Sequence, residues 1–179
     1  MWLNPFLLSL TIIFLYMSFW YIIALIIERN DIADTAWGLG FVVVGATLYL
    51  ICPESLHLSI VFLLTLFWGV RLSLHIYLRN LGKKEDFRYK KWREDWGRWF
   101  YLRTYFQIFL LQGLFMFLIS TPAIIAALYG NFSFGILSII GVILWVIGFI
   151  FETIGDFQLS RFKSDPDNKD KIMKKGLWK

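Results

Sequence analysis

The sequence has one cysteine, Cys52, so it holds no internal disulfide and no cysteine-based metal cluster. It has only two histidines, His57 and His75, and its carboxylates do not recur at ligand spacing, so no metal site is expected. Neither a GxGxxG turn nor a P-loop occurs. The first apolar stretch lacks a basic start and is too long for an h-region, which argues against a cleavable signal peptide. No internal repeat or low-complexity linker interrupts the chain, so a single domain is expected. Charge is scarce too. Only 17% of the 179 residues are charged, and they are clustered rather than spread over a soluble surface.

Apolar residues take that place. The chain is 58% hydrophobic and 20% aromatic, with a mean hydropathy of +0.61. About half apolar is usual for a soluble domain, so the bilayer is the natural solvent. A spanning helix needs about 20 apolar residues. Five stretches qualify: Leu3 to Ile27, a shorter one from Trp37 to Cys52 ended by Pro53, Leu58 to Leu78, Thr104 to Leu128, and Phe134 to about Leu159. The predicted class is an all-α, polytopic transmembrane bundle, because only elements that satisfy their own backbone survive in lipid.

The cations set an orientation. Of 18 Lys and Arg, nine fall between Arg79 and Arg103 and seven between Arg161 and Lys179. The CPESLH and YGNFS connections carry none. With five spans both basic segments lie on one side, which predicts a cytoplasmic C-terminus and an outside N-terminus. The short ERNDIAD connection (Glu28 to Asp34) then faces the cytoplasm as well. A net charge of +5 placed this way suits a membrane surface rather than nucleic acid, at about 1 kcal/mol per cation next to anionic lipid. The aromatic and basic loop GKKEDFRYKKWREDWGRWF equally fits an interfacial belt. On the outer side, Asn131-Phe132-Ser133 matches the glycosylation pattern, a short and common match.

Several polar residues stand where lipid should be. Arg71 and His75 are one helical turn apart in the third span, on a stripe with Trp68 and Arg79. A charge at membrane depth faces a cavity or a partner, unless it snorkels or pairs with an acid such as Asp34. Asp34 opens DTAWGLGF, where it reads equally as a helix N-cap or as a site-lining acid. Gly38 and Gly40 of that motif allow another helix to approach closely. Glu152, Asp156, Leu159 and Lys163 form one stripe at the cytoplasmic end of the fifth span. Two carboxylates there oppose the helix dipole, so hydroxyls, amides or cations must compensate them. Arg161, Lys163, Lys169 and Lys171 flank the helix-breaking Pro166 and suit phosphates, so the local chemistry fits a nucleotide.

Four stretches carry a family resemblance: DTAWGLGF, RNLGKKEDFRYKKWRE (79–94), YFQIFLLQG (105–113) and FETIGDFQLSRFKSDPDNKDKIMKKGLW (151–178). Together they resemble the DUF1295 membrane proteins, relatives of the steroid 5-alpha-reductase C-terminal domain. The resemblance implies a bundle of about seven spans and reduction of an activated carbon–carbon double bond in a lipophilic substrate by NADPH. It implies cofactor contacts at Glu152, Asp156, Lys163 and Lys171, with Lys83 and Arg88 as cationic contacts from the loop after the third span. Asp34 is similar in placement to an acid near the substrate, and hydride delivery requires a proton donor that polarises the carbonyl. Steroid-reducing relatives place a tyrosine near the position of Trp68, so Arg71 or His75 is the expected substitute here. The family continues beyond GLW with an R-H-P-N-Y-type motif, so the expectation is a C-terminally incomplete chain whose longer form carries the enzyme. Isoprenylcysteine and phospholipid methyltransferases have a similar C-terminal architecture, which leaves S-adenosylmethionine as the alternative cofactor. The third reading is a non-catalytic protein whose basic loops bind anionic membrane lipids.

Overall fold

A computed structural model describes residues 4–53, 55–129, 134–169 and 171–179, which leaves the Asn131-Phe132-Ser133 match outside the described residues. Every regular element among the described residues is helical, and five helical stretches are long and apolar enough to cross a membrane. The expected all-α, polytopic transmembrane class therefore holds. The contacts divide the chain into two compact units, Met1–Phe132 and Ser133–Lys179.

The first unit begins with α1, Pro5–Ile27. Asn4 caps it by accepting from the Phe6 amide at 2.9 Å, and Pro5 sits in the first turn, where its missing N–H costs nothing. At about 34 Å this helix matches the hydrocarbon thickness. Its buried residues, Ser9, Ile13, Met17 and Ala24, form one stripe, flanked by half-buried Tyr16, Trp20 and Tyr21, while Leu7, Phe14, Leu15, Phe19, Ile22 and Ile26 stay exposed, as a lipid-facing surface requires. Glu28 ends α1 in the left-handed region, at φ 55°.

Helix α2, Ile32–Ile51, is the centre of this unit and packs on α1, α3 and α6. It begins five residues before the expected Trp37, so the ERNDIAD connection shrinks to Glu28–Asp31. The N-cap is Asp31 and not Asp34. The capping role expected of Asp34 fails because its carboxylate lies one turn inside the helix. Asp31 itself makes no capping bond, since Arg29 holds both of its oxygens at 2.8 and 3.1 Å.

Helix α3, Leu56–Asn80, lies against α2. The close approach expected at DTAWGLGF is present. A Cβ on Gly38 would sit 2.6 Å from the Gly69 carbonyl oxygen, and one on Gly69 would collide with the Gly38 carbonyl. Ser73, one turn beyond Gly69, accepts from the Leu39 amide at 3.0 Å. Gly40 faces Met116 and Tyr16. Two helices in lipid gain little from apolar burial against each other, so this backbone-to-backbone fit is what joins them.

After α3 the chain forms a short amphipathic helix, α4, Phe87–Trp96. A 3₁₀ turn (Gly97–Trp99) and α5, Phe100–Thr104, lead into a π-helical stretch, Tyr105–Leu110, and then α6, Leu111–Tyr129. One carboxylate holds α4 to the α1–α2 turn. Glu85 Oε1 accepts from the Asn30 amide at 2.8 Å and from Asn30 Nδ2 at 3.3 Å. Its other oxygen accepts from Arg93 at 3.4 Å, and Arg93 also donates to the Glu28 carbonyl. Tyr89 then meets Trp92 edge to face and Trp92 stacks on Trp96, with Arg93 over the Phe100 ring.

The second unit contains α7, Ile136–Ser164, and the tail folded on it. Asp165 is extended before Pro166, so the helix stops where the proline was expected to stop it.

Two stability predictions follow from this packing. Gly69→Leu should destabilise the purified protein by about 3 kcal/mol, through overpacking against the Gly38 backbone. Gly45→Ala, whose Cβ would meet Phe62 at an ordinary 3.4 Å, should be tolerated. Equal effects in denaturant titration would overturn the Gly38–Gly69 contact. Glu85→Ala should cost about 2 kcal/mol, because it leaves buried Asn30 and the Arg93 cation without their shared acceptor. Exposed Glu94→Ala is the control, and an indistinguishable melting temperature for the two variants would disprove the clasp.

Candidate functional site

The clasp brings α4 over the start of α2, and there Asp34 acquires its partners. Tyr89, 3% exposed, donates its hydroxyl to Asp34 Oδ1 at 3.3 Å. Arg88 reaches Asp34 Oδ2 at 3.5 Å. Arg88 also donates to both oxygens of Asp86, at 3.0 and 3.2 Å, and this bond holds the Asp86 carboxyl below the usual carboxylate range. Asp86 in turn caps α4 by accepting from the Arg88 amide at 2.9 Å. Asp34 is thus a site-lining acid held from two sides by one helix.

Asp34 opens onto a cavity of about 290 Å³ lined also by Trp37, Ile76, Arg79 and Gln112, from α2, α3 and α6. Of the three residues expected to be catalytic, Asp34 alone lines it. Arg71 and His75 are half-buried on α3, two turns and one turn before Arg79. The structure therefore brings Arg79 to the acid. Lys83 lies exposed in the turn after α3, where its amide closes onto the Asn80 carbonyl. Arg88, expected to hold cofactor, is committed to Asp34 and Asp86.

Tyr89 and Gln112 were not singled out from the sequence. Tyr89 reads as one more aromatic in a basic loop, and its role depends on the fold of α4. Gln112 gave a readable signal: an amide in the middle of an apolar run faces something other than lipid. Its Oε1 is buried and makes no hydrogen bond. The π-helical stretch just before it takes in most of YFQIFLLQG, and such insertions are frequent at functional sites. Within it, Tyr105 bonds Ser18 of α1 at 2.9 Å.

In the second unit Glu152 and Asp156 are half-buried on α7. Between them Gly155 is buried, and its carbonyl accepts from the Trp178 indole at 3.0 Å. Gly176, at φ 63°, turns the tail so that the Leu177 amide meets Gln158 Oε1 at 3.0 Å. This fold-back leaves an open groove of about 370 Å³, lined by Phe157, Arg161, Phe162, Asn168 and Lys175 among others. Lys163 and Lys171 are exposed and stand outside that lining, as do Glu152 and Asp156. Of the cations in this segment, Arg161 and Lys175 line the groove. The lining also holds Gln158 and the Asp165 carboxylate, and the Asn168 amide donates to Asp165 at 3.2 Å and to the Phe162 carbonyl at 3.1 Å.

No solved structure matches the chain. It is 33% identical over 132 residues to an uncharacterized protein of Schizosaccharomyces pombe, an alignment that covers 71% of this chain and 37% of that protein. The chain thus spans little more than a third of the length of that relative. The family model described as "Protein of unknown function (DUF1295)" matches residues 20–179. That range takes in the α1–α2 turn, the Asp34 cavity and the whole of the second unit, and the chain belongs to the DUF1295 family.

Proposed function

We propose that the protein is an integral membrane reductase that uses NADPH to saturate an activated carbon–carbon double bond in a lipophilic substrate, with its basic segments on the cytoplasmic side. The observation that carries this reading is the Asp34 cavity: an acid, a guanidinium and an amide grouped between apolar spanning helices. A lipophilic substrate enters such a place from the bilayer, and its one polar group meets these side chains. The kinship of the family with steroid 5-alpha-reductase-like proteins supports the chemistry.

The bound cofactor would supply hydride. Arg161, Lys175 and Asn168 in the groove of the second unit are the residues that would hold it, with the nearby Glu152, Asp156, Lys163 and Lys171 as further contacts. Arg79, which lines the cavity, would donate to a substrate carbonyl oxygen there and stabilise the negative charge it gains. Tyr89 and Arg88 fix Asp34 by occupying an oxygen each, so the carboxylate keeps one orientation towards the cavity. His75 and Arg71, further along α3, are candidates for returning the proton.

The direct test is ligand protection of the purified chain. NADPH should raise the unfolding temperature in a saturable manner, and S-adenosylmethionine should not. Arg161→Ala and Lys175→Ala should each weaken the NADPH effect about tenfold, since each removes a charge-assisted contact to phosphate. Asp156→Asn and Lys171→Ala should weaken it less. Protection by S-adenosylmethionine alone would replace this reading with a methyltransferase, and protection by neither would remove the nucleotide site.

A further inference from the structure

A second polar recess lies at the membrane edge where α1 ends, α2 begins and α3 ends. Helices α1 and α3 both pack on α2, and at their ends the surface opens into a cleft of about 140 Å³. Sites for drug-sized ligands run to about 300–1,000 Å³, so this one takes a small group and not a nucleotide. Its polar lining is Arg29 and Asp31 of the α1–α2 turn, Thr35 of α2 and Asn80 of α3. Ile27, Tyr77 and Leu81 line it as well, all exposed, in the last turns of the spanning helices α1 and α3 or just beyond.

The donors of the cleft are preset for an anion. Asp31 is buried, and both of its oxygens accept from Arg29, at 2.8 and 3.1 Å. That pair uses Arg29 Nε and Nη2, so the acid fixes the guanidinium plane while Nη1 keeps its hydrogens for another acceptor. Arg79 donates to Asn80 Oδ1 at 3.4 Å, which leaves the Asn80 amide nitrogen as the group that side chain can offer. Asp31 is the one acid among the described lining residues, and Arg29 neutralises it. Of the neighbouring acids, Glu28 stands outside the lining, and Glu85 is held by Asn30 and Arg93. Lys83 and Lys84 directly follow Gly82 of the cleft, both exposed, and give its mouth an excess of positive charge.

We infer that this cleft binds the phosphodiester of an anionic phospholipid. The phosphate meets Arg29 and Asn80, Lys83 and Lys84 cover the head, and an acyl chain runs beside Ile27, Tyr77 and Leu81. Basic pockets between spanning helices are a known form of headgroup site, and a guanidinium–phosphate pair gains strength where water is partly excluded. A free phosphate makes the charged contacts without the apolar ones, and a choline head sets its own cation against Lys83 and Lys84. The site uses neither the Asp34 cavity nor the groove of the second unit, so it is independent of the reaction proposed above.

The test places the full chain in phosphatidylcholine nanodiscs with increasing fractions of phosphatidylglycerol, whose head carries no cation. The unfolding temperature should rise with phosphatidylglycerol and saturate, and glycerol 3-phosphate added to plain phosphatidylcholine discs should not reproduce the rise. Arg29→Gln should raise the half-saturating fraction about tenfold. That variant also strips buried Asp31 of its partner, so Lys83→Gln combined with Lys84→Gln is the second measure, with a similar shift expected. Lys90→Gln combined with Lys91→Gln removes equal exposed charge outside the lining and should shift it about twofold at most. A rise that never saturates, or one that glycerol 3-phosphate reproduces, overturns the inference. So does a loss in the Lys90 and Lys91 variant as large as that in the Lys83 and Lys84 variant, since a charged surface without a site behaves that way.

Discussion

Much of the first unit depends on where the Glu85 carboxylate goes. It is an acid in a basic loop, and it accepts at once from the tight turn between α1 and α2 and from Arg93 on α4. The turn it holds contains Glu28 in the left-handed region, a conformation that costs a non-glycine residue about 1 kcal/mol or more and persists only where neighbours fix it. Arg93 fixes it from the other side through the Glu28 carbonyl. A ten-residue helix has little stability of its own, so the position of α4 is set by these bonds and by the aromatic packing behind them. From that position Arg88 and Tyr89 reach Asp34. Local turn geometry, a surface ion pair and a polar site between spanning helices are thus one connected arrangement.

A second constraint acts deeper. Gly38 and Gly69 bring α2 and α3 backbone to backbone, and Ser73 ties the Leu39 amide across the same seam. This closeness holds Ile76 and Arg79, further along α3, against Asp34 and Trp37 of α2, with Gln112 entering from α6. Lipid does not force helices together as water does, so a polar cavity needs such a seam to define it.

The sequence made the spans legible because a lipid-facing helix must be apolar nearly throughout, and no tertiary information is needed to see that. Pro166 as a stop and Gly38 as a contact point were legible for similar reasons: each acts through its own backbone. Gly69 and Ser73, spaced as small-xxx-small, gave the other half of the seam in principle. The Asp34 site was half legible. An acid beside a membrane span demands a partner, but the partners sit more than fifty residues away on a helix whose placement depends on Glu85. The start of α2 was misjudged because the Asn30–Asp31–Ile32 stretch looks like a polar loop until Arg29 neutralises Asp31. Around α7 the cluster of charges was readable, while the placing of Arg161 and Lys175 in the groove, with Lys163 and Lys171 outside it, depends on the fold-back made by Trp178 and Gly176.

The π-helical stretch at Tyr105–Leu110 has a geometric corollary. A turn of this kind holds one residue more than an α-turn, which retards every side chain beyond it by about 100° around the axis. Residues on the two sides of it are therefore out of phase, like two screws joined with an offset. Were one residue deleted there, the helix could run regular, and the Phe100–Thr104 end would swing by a quarter turn or so relative to Gly113 and Met116. The aromatic platform that leads back to α4 would then point elsewhere, so the irregularity works as an angular spacer between the α4 edge of this unit and its interior.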